Sequence, residues 1–164
     1  MVMPRPQPLG ITGVTLEPAA VDLLVVHCSA TPPDRDIGAE ELRRWHVDGN
    51  GWADIGYHYV VRRNGDIEVG RPLHQAGAHA RGFNSRSVGI CWVGGVREDD
   101  PTTPEANYTS FQSIALRNLL GALSDIFPRA TLCGHRDLDS THQRLKACPA
   151  FDVRQWFVDG RVMR

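Results

Sequence analysis

The chain has 164 residues, 41% of them hydrophobic and 23% charged. That length matches one domain of about 100–200 residues, and that balance excludes a wholly disordered or collagen-like chain. Eighteen Lys and Arg against 19 Asp and Glu leave a net charge of −1, so the global basic field of a dedicated nucleic-acid binder is missing. No apolar run approaches the roughly 18–20 residues of a membrane span, and no stable membrane insertion is expected.

Residues 1–20 hold four of the eleven prolines and show no period. They read as an N-terminal tail, with the domain proper over 21–164. The start Met1-Val2-Met3-Pro4-Arg5-Pro6 carries no export signal, because the prolines break any apolar helix there. Asp22 to Cys28 is a short apolar run, typical of a strand buried on both faces. Residues 29–33 form a loop. Residues 38–47 read as a helix, with Leu42 and Trp45 on one face, Asp36 as the cap and Gly49 after the end.

Tyr57 to Arg63 has the composition of a strand. Asn64-Gly65 is a hairpin signal in which both turn positions favour positive φ, and Asp66 to Gly70 is the partner strand. Ser87 to Val93 is another buried strand. Residues 97–108 read as a surface loop. Thr109-Ser110-Phe111-Gln112 is a capping box. It opens a helix whose apolar residues are Phe111, Ala115, Leu119, Leu123, Ile126 and Phe127, and Pro128 stops it. A last strand spans 130–134, residues 136–147 are charged and irregular, and 151–157 forms a short terminal helix. The order β-α-β-β-β-α-β-α predicts an α/β single domain, a mixed sheet of about five strands flanked by about three helices.

The four cysteines, 28, 91, 133 and 148, sit mostly in or just after apolar runs and read as reduced thiols. Seven histidines are more than this length needs. His27 and His135 each end a buried strand, and Cys148 follows thirteen residues after the second. Strand ends at one sheet edge converge, and sites gather there. Two His and one Cys suit Zn²⁺, with the fourth position left open for water. The same residues also fit two hydrogen-bonded histidines and a buried thiol. Cys28 and Cys133 are rival ligands, but Cys28 points away from His27 by strand alternation, and Cys133 sits inside its strand. Tyr57 reads either as a strand aromatic or as a hydroxyl aimed at a site. Lys146 reads either as a loop cation or as a holder of negative charge. Trp45, Trp52 and Trp156 read as core, although groove aromatics also stack on sugars or peptides. No nucleophile elbow or phosphate loop is present, and Glu40-Glu41 and Asp99-Asp100 do not resemble an opposed acid/base pair.

Six ordered segments carry a resemblance. They are Val26-His27-Cys28-Ser29-Ala30-Thr31, Trp52-Ala53-Asp54-Ile55-Gly56-Tyr57-His58-Tyr59, Gly77-Ala78-His79-Ala80-Arg81-Gly82-Phe83-Asn84, Val93-Gly94-Gly95, Gly134-His135-Arg136-Asp137 and Lys146-Ala147-Cys148-Pro149-Ala150-Phe151-Asp152. In this order they resemble the zinc-dependent N-acetylmuramoyl-L-alanine amidases, the type-2 fold shared with peptidoglycan recognition proteins, and within it the T7-like phage endolysins. The resemblance covers about Val21 to Trp156. It implies one Zn²⁺ per chain held by His27, His135 and Cys148, with Tyr57 and Lys146 catalytic. It places His79 and Asn84 beside the substrate groove and gives His58 a structural or supporting role. The implied reaction is hydrolysis of the amide between N-acetylmuramic acid and L-alanine in bacterial peptidoglycan. A phage RNA polymerase is a second partner that some relatives bind, and the divergent tail gives it no support here. Non-catalytic peptidoglycan binding, or regulation through a polymerase, is the competing class; such relatives characteristically lack the cysteine ligand. A monomer is the default. The expected setting is the bacterial cytoplasm, with access to the wall through holin-type lesions. The 136–147 stretch is longer than in near phage relatives, which implies an altered groove wall.

Overall fold

The computed structural model describes residues 16–138 and 147–159. Five strands form one mixed sheet: β1 (Leu23–Cys28), β2 (Tyr59–Val61), β3 (Ile67–Val69), β4 (Ser87–Trp92) and β5 (Thr131–Gly134). Their order is β3-β2-β4-β1-β5. Strand β1 lies parallel between β4 and β5, β2 is parallel to β4, and only the β2–β3 hairpin is antiparallel. Three helices flank the sheet: α1 (Ala39–Arg44), α2 (Ser110–Ile126) and α3 (Val153–Asp159). This is the expected α/β order. Among the described residues, no helix is long and apolar enough to cross a membrane.

Strand alternation divides the interior in two. Leu24 and Val26 of β1 and Val88, Ile90 and Trp92 of β4 face one way, under Leu116, Leu119, Leu120 and Leu123 of α2. Val60, Cys91 and Val93 face the other way, against Ile37, Ala39 and Leu42 around α1. Leu16 is buried with the first cluster, and its N–H donates to the His74 carbonyl at 2.9 Å. Residues 1–15 of the expected tail lie outside the described residues.

Several local expectations shift. The α1 cap is Gly38, and no side chain of its own caps the helix. Instead Glu68 reaches over from β3 and accepts the Ala39 N–H at 2.6 Å. The predicted cap, Asp36, accepts from the Arg62 guanidinium and the Arg63 N–H. Tertiary partners therefore replace the local cap. After Arg44 the chain widens into a π turn over Trp45–Gly49. Only Gly65 of the hairpin has positive φ, at 90°. Asn64 keeps an ordinary φ because its side-chain oxygen accepts the Asp66 N–H at 2.9 Å. Strand β2 begins at Tyr59, so Tyr57 precedes the strand.

In α2 the capping box forms as predicted between Thr109 and Gln112. The buried stripe runs through Gln112, Ala115, Leu116, Leu119, Leu120 and Leu123. Phe111 and Ile126, read as part of that stripe, are 65% and 51% exposed. Two steps of four carry Phe111 about 80° round the helix from Leu119 on a 3.6-residue period, whereas Ile126 is exposed as the last residue of α2. Gln112 instead donates from Nε2 to the Val61 and Val93 carbonyls, closing the strand ends beneath it. Trp156 is core, Trp45 is half-buried beneath the Arg35 guanidinium, and Trp52 stands 39% exposed.

Candidate active site

The ladder itself brings the first two site residues together. Gly134 of β5 pairs with Val26 of β1, so the next residues along these parallel strands are His135 and His27. Their rings lie 4.5 Å apart. Val26 faces the α2 core, and alternation turns His27 to the opposite face. His135 opens a short 3-10 turn, whose start is held by the Gly134 N–H donating to Asp137 at 2.8 Å. The Arg136 N–H donates to the Cys148 carbonyl at 2.8 Å, which ties the third residue to the second.

One nitrogen from each of His27 and His135 and the Cys148 sulfur lie within 4.8 Å of one another. His27 is 2% exposed and the other two are half-buried. Among the described residues this is the one His/Cys/Asp/Glu group able to hold a metal ion. Neither rival cysteine belongs to that group. Cys133 is buried in β5, and burial pushes its thiol up to about 11. Cys28 contributes its backbone, with its N–H donating to the Cys148 sulfur at 3.1 Å. The Cys28 side chain and burial hold the Cys148 thiol well above its ordinary range. A cation bound there must therefore displace a proton. All four cysteines are free thiols.

These residues form the floor of a cleft of about 510 Å³. Tyr57 stands on its wall, its ring 5.2 Å from that of His27. Burial holds its phenol well above the usual range, so Tyr57 stays a neutral O–H donor at neutral pH. Trp52 and Arg81 also line the cleft. The His46 ring sits 4.7 Å from that of Trp52, and His46 accepts the Gly56 N–H at 3.0 Å. Arg71 was not singled out by the sequence. Its guanidinium donates to the carbonyls of Ile55 and Ala76 at 2.9 and 2.7 Å, strapping together the loops that lead to Tyr57 and His79.

His79 and Asn84 both line the cleft, yet both ring nitrogens of His79 and the side-chain oxygen of Asn84 are engaged within the protein. The Asn84 side-chain oxygen accepts the N–H groups of His79 and Ala80, both at 2.9 Å. Nδ1 of His79 is 2.9 Å from His27 Nε2, and its Nε2 is 3.2 Å from Ser87 Oγ. Burial, followed by the nearby His58 and His135, holds the His79 imidazole well below its ordinary range. His58 supports the wall as expected. It is fully buried, bonded to the Gln75 carbonyl and the Gly89 N–H, and burial lowers it to about 4. Lys146, expected to act on substrate, lies outside the described residues. No motif flagged Ser87, which meets His79 eight residues away, or the Cys28 N–H, whose partner Cys148 is 120 positions away.

The sequence model described as N-acetylmuramoyl-L-alanine amidase matches residues 17–151. The chain is 45% identical over 140 residues to an endolysin of Klebsiella phage KP32, covering 85% of this chain and 87% of that one. It is 41% identical over 144 residues to the endolysin of Escherichia phage T7, covering 88% and 90%. Among solved structures, the endolysin of the Thermus scotoductus MAT2119 bacteriophage Ph2119 superposes with a TM-score of 0.63 at 31% identity, over 79% of this chain and 77% of that one.

Proposed function

This chain belongs to the N-acetylmuramoyl-L-alanine amidase family, hydrolases of the amide between N-acetylmuramic acid and L-alanine in peptidoglycan, and from that premise we propose that it is a zinc-dependent phage endolysin. The observation that carries the metal reading is the convergence of His27, His135 and Cys148 on the cleft floor, ligand atoms within 4.8 Å. The donor set fits zinc. Two imidazoles and a thiol are borderline-soft, and three protein ligands leave a position open toward the cleft. When bound there, zinc supplies an acidified water, with a pKa of about 7, and polarises the scissile carbonyl.

The chain's own residues do the rest. His27, His135 and Cys148 would hold the ion, and the Cys28 N–H would support the sulfur as an anion. Tyr57 keeps its proton and donates a hydrogen bond to oxygen at the reacting centre, orienting it as charge develops. The family pattern assigns Lys146 the stabilising of negative charge on the same oxygen. Trp52 offers a flat, partly exposed ring at the rim for a sugar or a peptide. The protein then accumulates in the bacterial cytoplasm and meets the wall through holin-type lesions.

The test is zinc content of the purified protein, paired with mass spectrometry of digested peptidoglycan with and without a chelator. About one zinc per chain, and chelator-sensitive release of stem peptides with a free L-alanine amino group, is the expected result. Zinc with intact peptidoglycan would point to a binding protein on the same fold. Digestion without metal would remove zinc from the reading.

A further inference from the structure

We propose that His79 is a positioning residue for the metal ligand His27: it accepts the His27 Nε2 proton and thereby turns the Nδ1 lone pair of His27 to the ion. This rests on the metal reading above and adds which atom binds and what holds it.

The argument is a count of protons along one chain of contacts. Ser87 Oγ lies 2.7 Å from the Phe83 carbonyl oxygen. A carbonyl has no hydrogen, so that contact takes the single Ser87 hydroxyl proton. Ser87 Oγ is also 3.2 Å from His79 Nε2. With its proton already committed, Ser87 accepts there, and His79 Nε2 must carry the hydrogen. In a neutral imidazole the other nitrogen is then an acceptor. His79 Nδ1 lies 2.9 Å from His27 Nε2, so His27 Nε2 donates. The lone pair of His27 is thereby assigned to Nδ1. The order cannot reverse, because the chain ends on a carbonyl. A proton on His79 Nδ1 would face Nε2 of His27 and drive the His27 proton onto Nδ1, where it would block the ligand atom.

The surroundings of His79 are built for this task. A Cβ at Gly77 would fall 2.5 Å from the His79 ring, and one at Gly89 would fall 2.4 Å from it. Both positions clear space for the imidazole. Asn84 clamps the backbone of the same residue. One segment, 79–87, thus supplies the ring, the clamp and the hydroxyl. Which nitrogen of a ligating histidine meets the metal is set by the bond made by the other, and losing such a partner typically costs about 10–100-fold in metal affinity.

The test needs no turnover. Long-range proton–nitrogen correlation spectra of the zinc-loaded protein, labelled at histidine, report the tautomers directly. Both His27 and His79 are expected to carry their proton at Nε2; a His27 proton at Nδ1 overturns the proposal. Zinc affinity is then measured by competition with a chromophoric chelator. His79→Leu, which removes the acceptor, is expected to bind zinc about 10–100-fold more weakly. His79→Asn places an oxygen where Nδ1 stood and is expected to recover most of that loss. Equal affinity in the wild type and His79→Leu overturns the proposal, and so does an Asn variant no better than the Leu variant. If His79→Leu does not fold, the wild-type spectra decide. A wild-type chain that takes up no zinc overturns the metal reading itself, whereas zinc uptake indifferent to His79 overturns only this inference.

Discussion

The two faces of the sheet are made by alternate residues of the same strands, yet they obey opposite rules. Under α2 the face is apolar apart from Gln112. Even the buried indole N–H groups of Trp92 and Trp156 find no acceptor among the described residues. Tyr108 stacks on Trp92 with centroids 4.0 Å apart and an interplanar angle of 3°. On the other face, one residue along in β1, the ring nitrogens of His58 and His79 are all engaged. The contrast teaches what each face is for. Burial itself holds the first face together, and loose polar geometry is tolerated there. The second face spends buried imidazoles on orientation, so each proton has an assigned place.

If the faces are separable, substitutions on each move different observables. Leu116→Ala is fully buried under α2 and is expected to lower unfolding free energy by about 2–5 kcal/mol. Turnover per folded molecule stays unchanged. Urea titration beside an activity assay checks this, and a matching loss of specific activity breaks the separation. Tyr57→Phe is expected to reverse the pattern. It lowers kcat by about 10²–10³ with zinc content and melting temperature kept. Near-normal turnover would remove Tyr57 from the chemistry.

Acid sharpens the same contrast. His58 titrates at about 4 in the fold against an ordinary value of about 6.5. Its folded pKa is depressed, so the unfolded chain binds more protons between those values, and stability falls as pH drops through that window. The loss is on the order of 3 kcal/mol when His58 alone is considered. Urea unfolding of metal-free protein from pH 7 to pH 4 measures it, and a flat profile contradicts the buried neutral imidazole. Thr109→Ala, far from the groove, removes the α2 cap. It is expected to cost about 1 kcal/mol, seen as a small drop in melting temperature with zinc affinity intact.

The same division marks what the sequence disclosed. The strands, their succession along the chain and the capped helix were legible, because short apolar runs and a capping box are local signals. His27 and His135 stood out as strand ends, and parallel pairing did bring them together. Cys148 joined them as a candidate by its place thirteen residues after His135, and the family pattern then singled it out, since no spacing rule joins it to β1. His79 and Asn84 were placed beside the groove. That His79 bonds His27, 52 positions away, was not legible, because tautomer chains leave no period. Asp36 failed as a cap because Glu68 arrived from β3, and Phe111 fell off the helix stripe by accumulated angle.

The bond between the Arg136 N–H and the Cys148 carbonyl has a consequence for how this protein can vary. It staples the chain just after His135 to the chain at Cys148. Lengthening such a loop is thermodynamically mild, at roughly 0.6 kcal/mol per doubling. A change of length between Arg136 and Cys148 that keeps Lys146 is therefore expected to leave His135 and Cys148 in place.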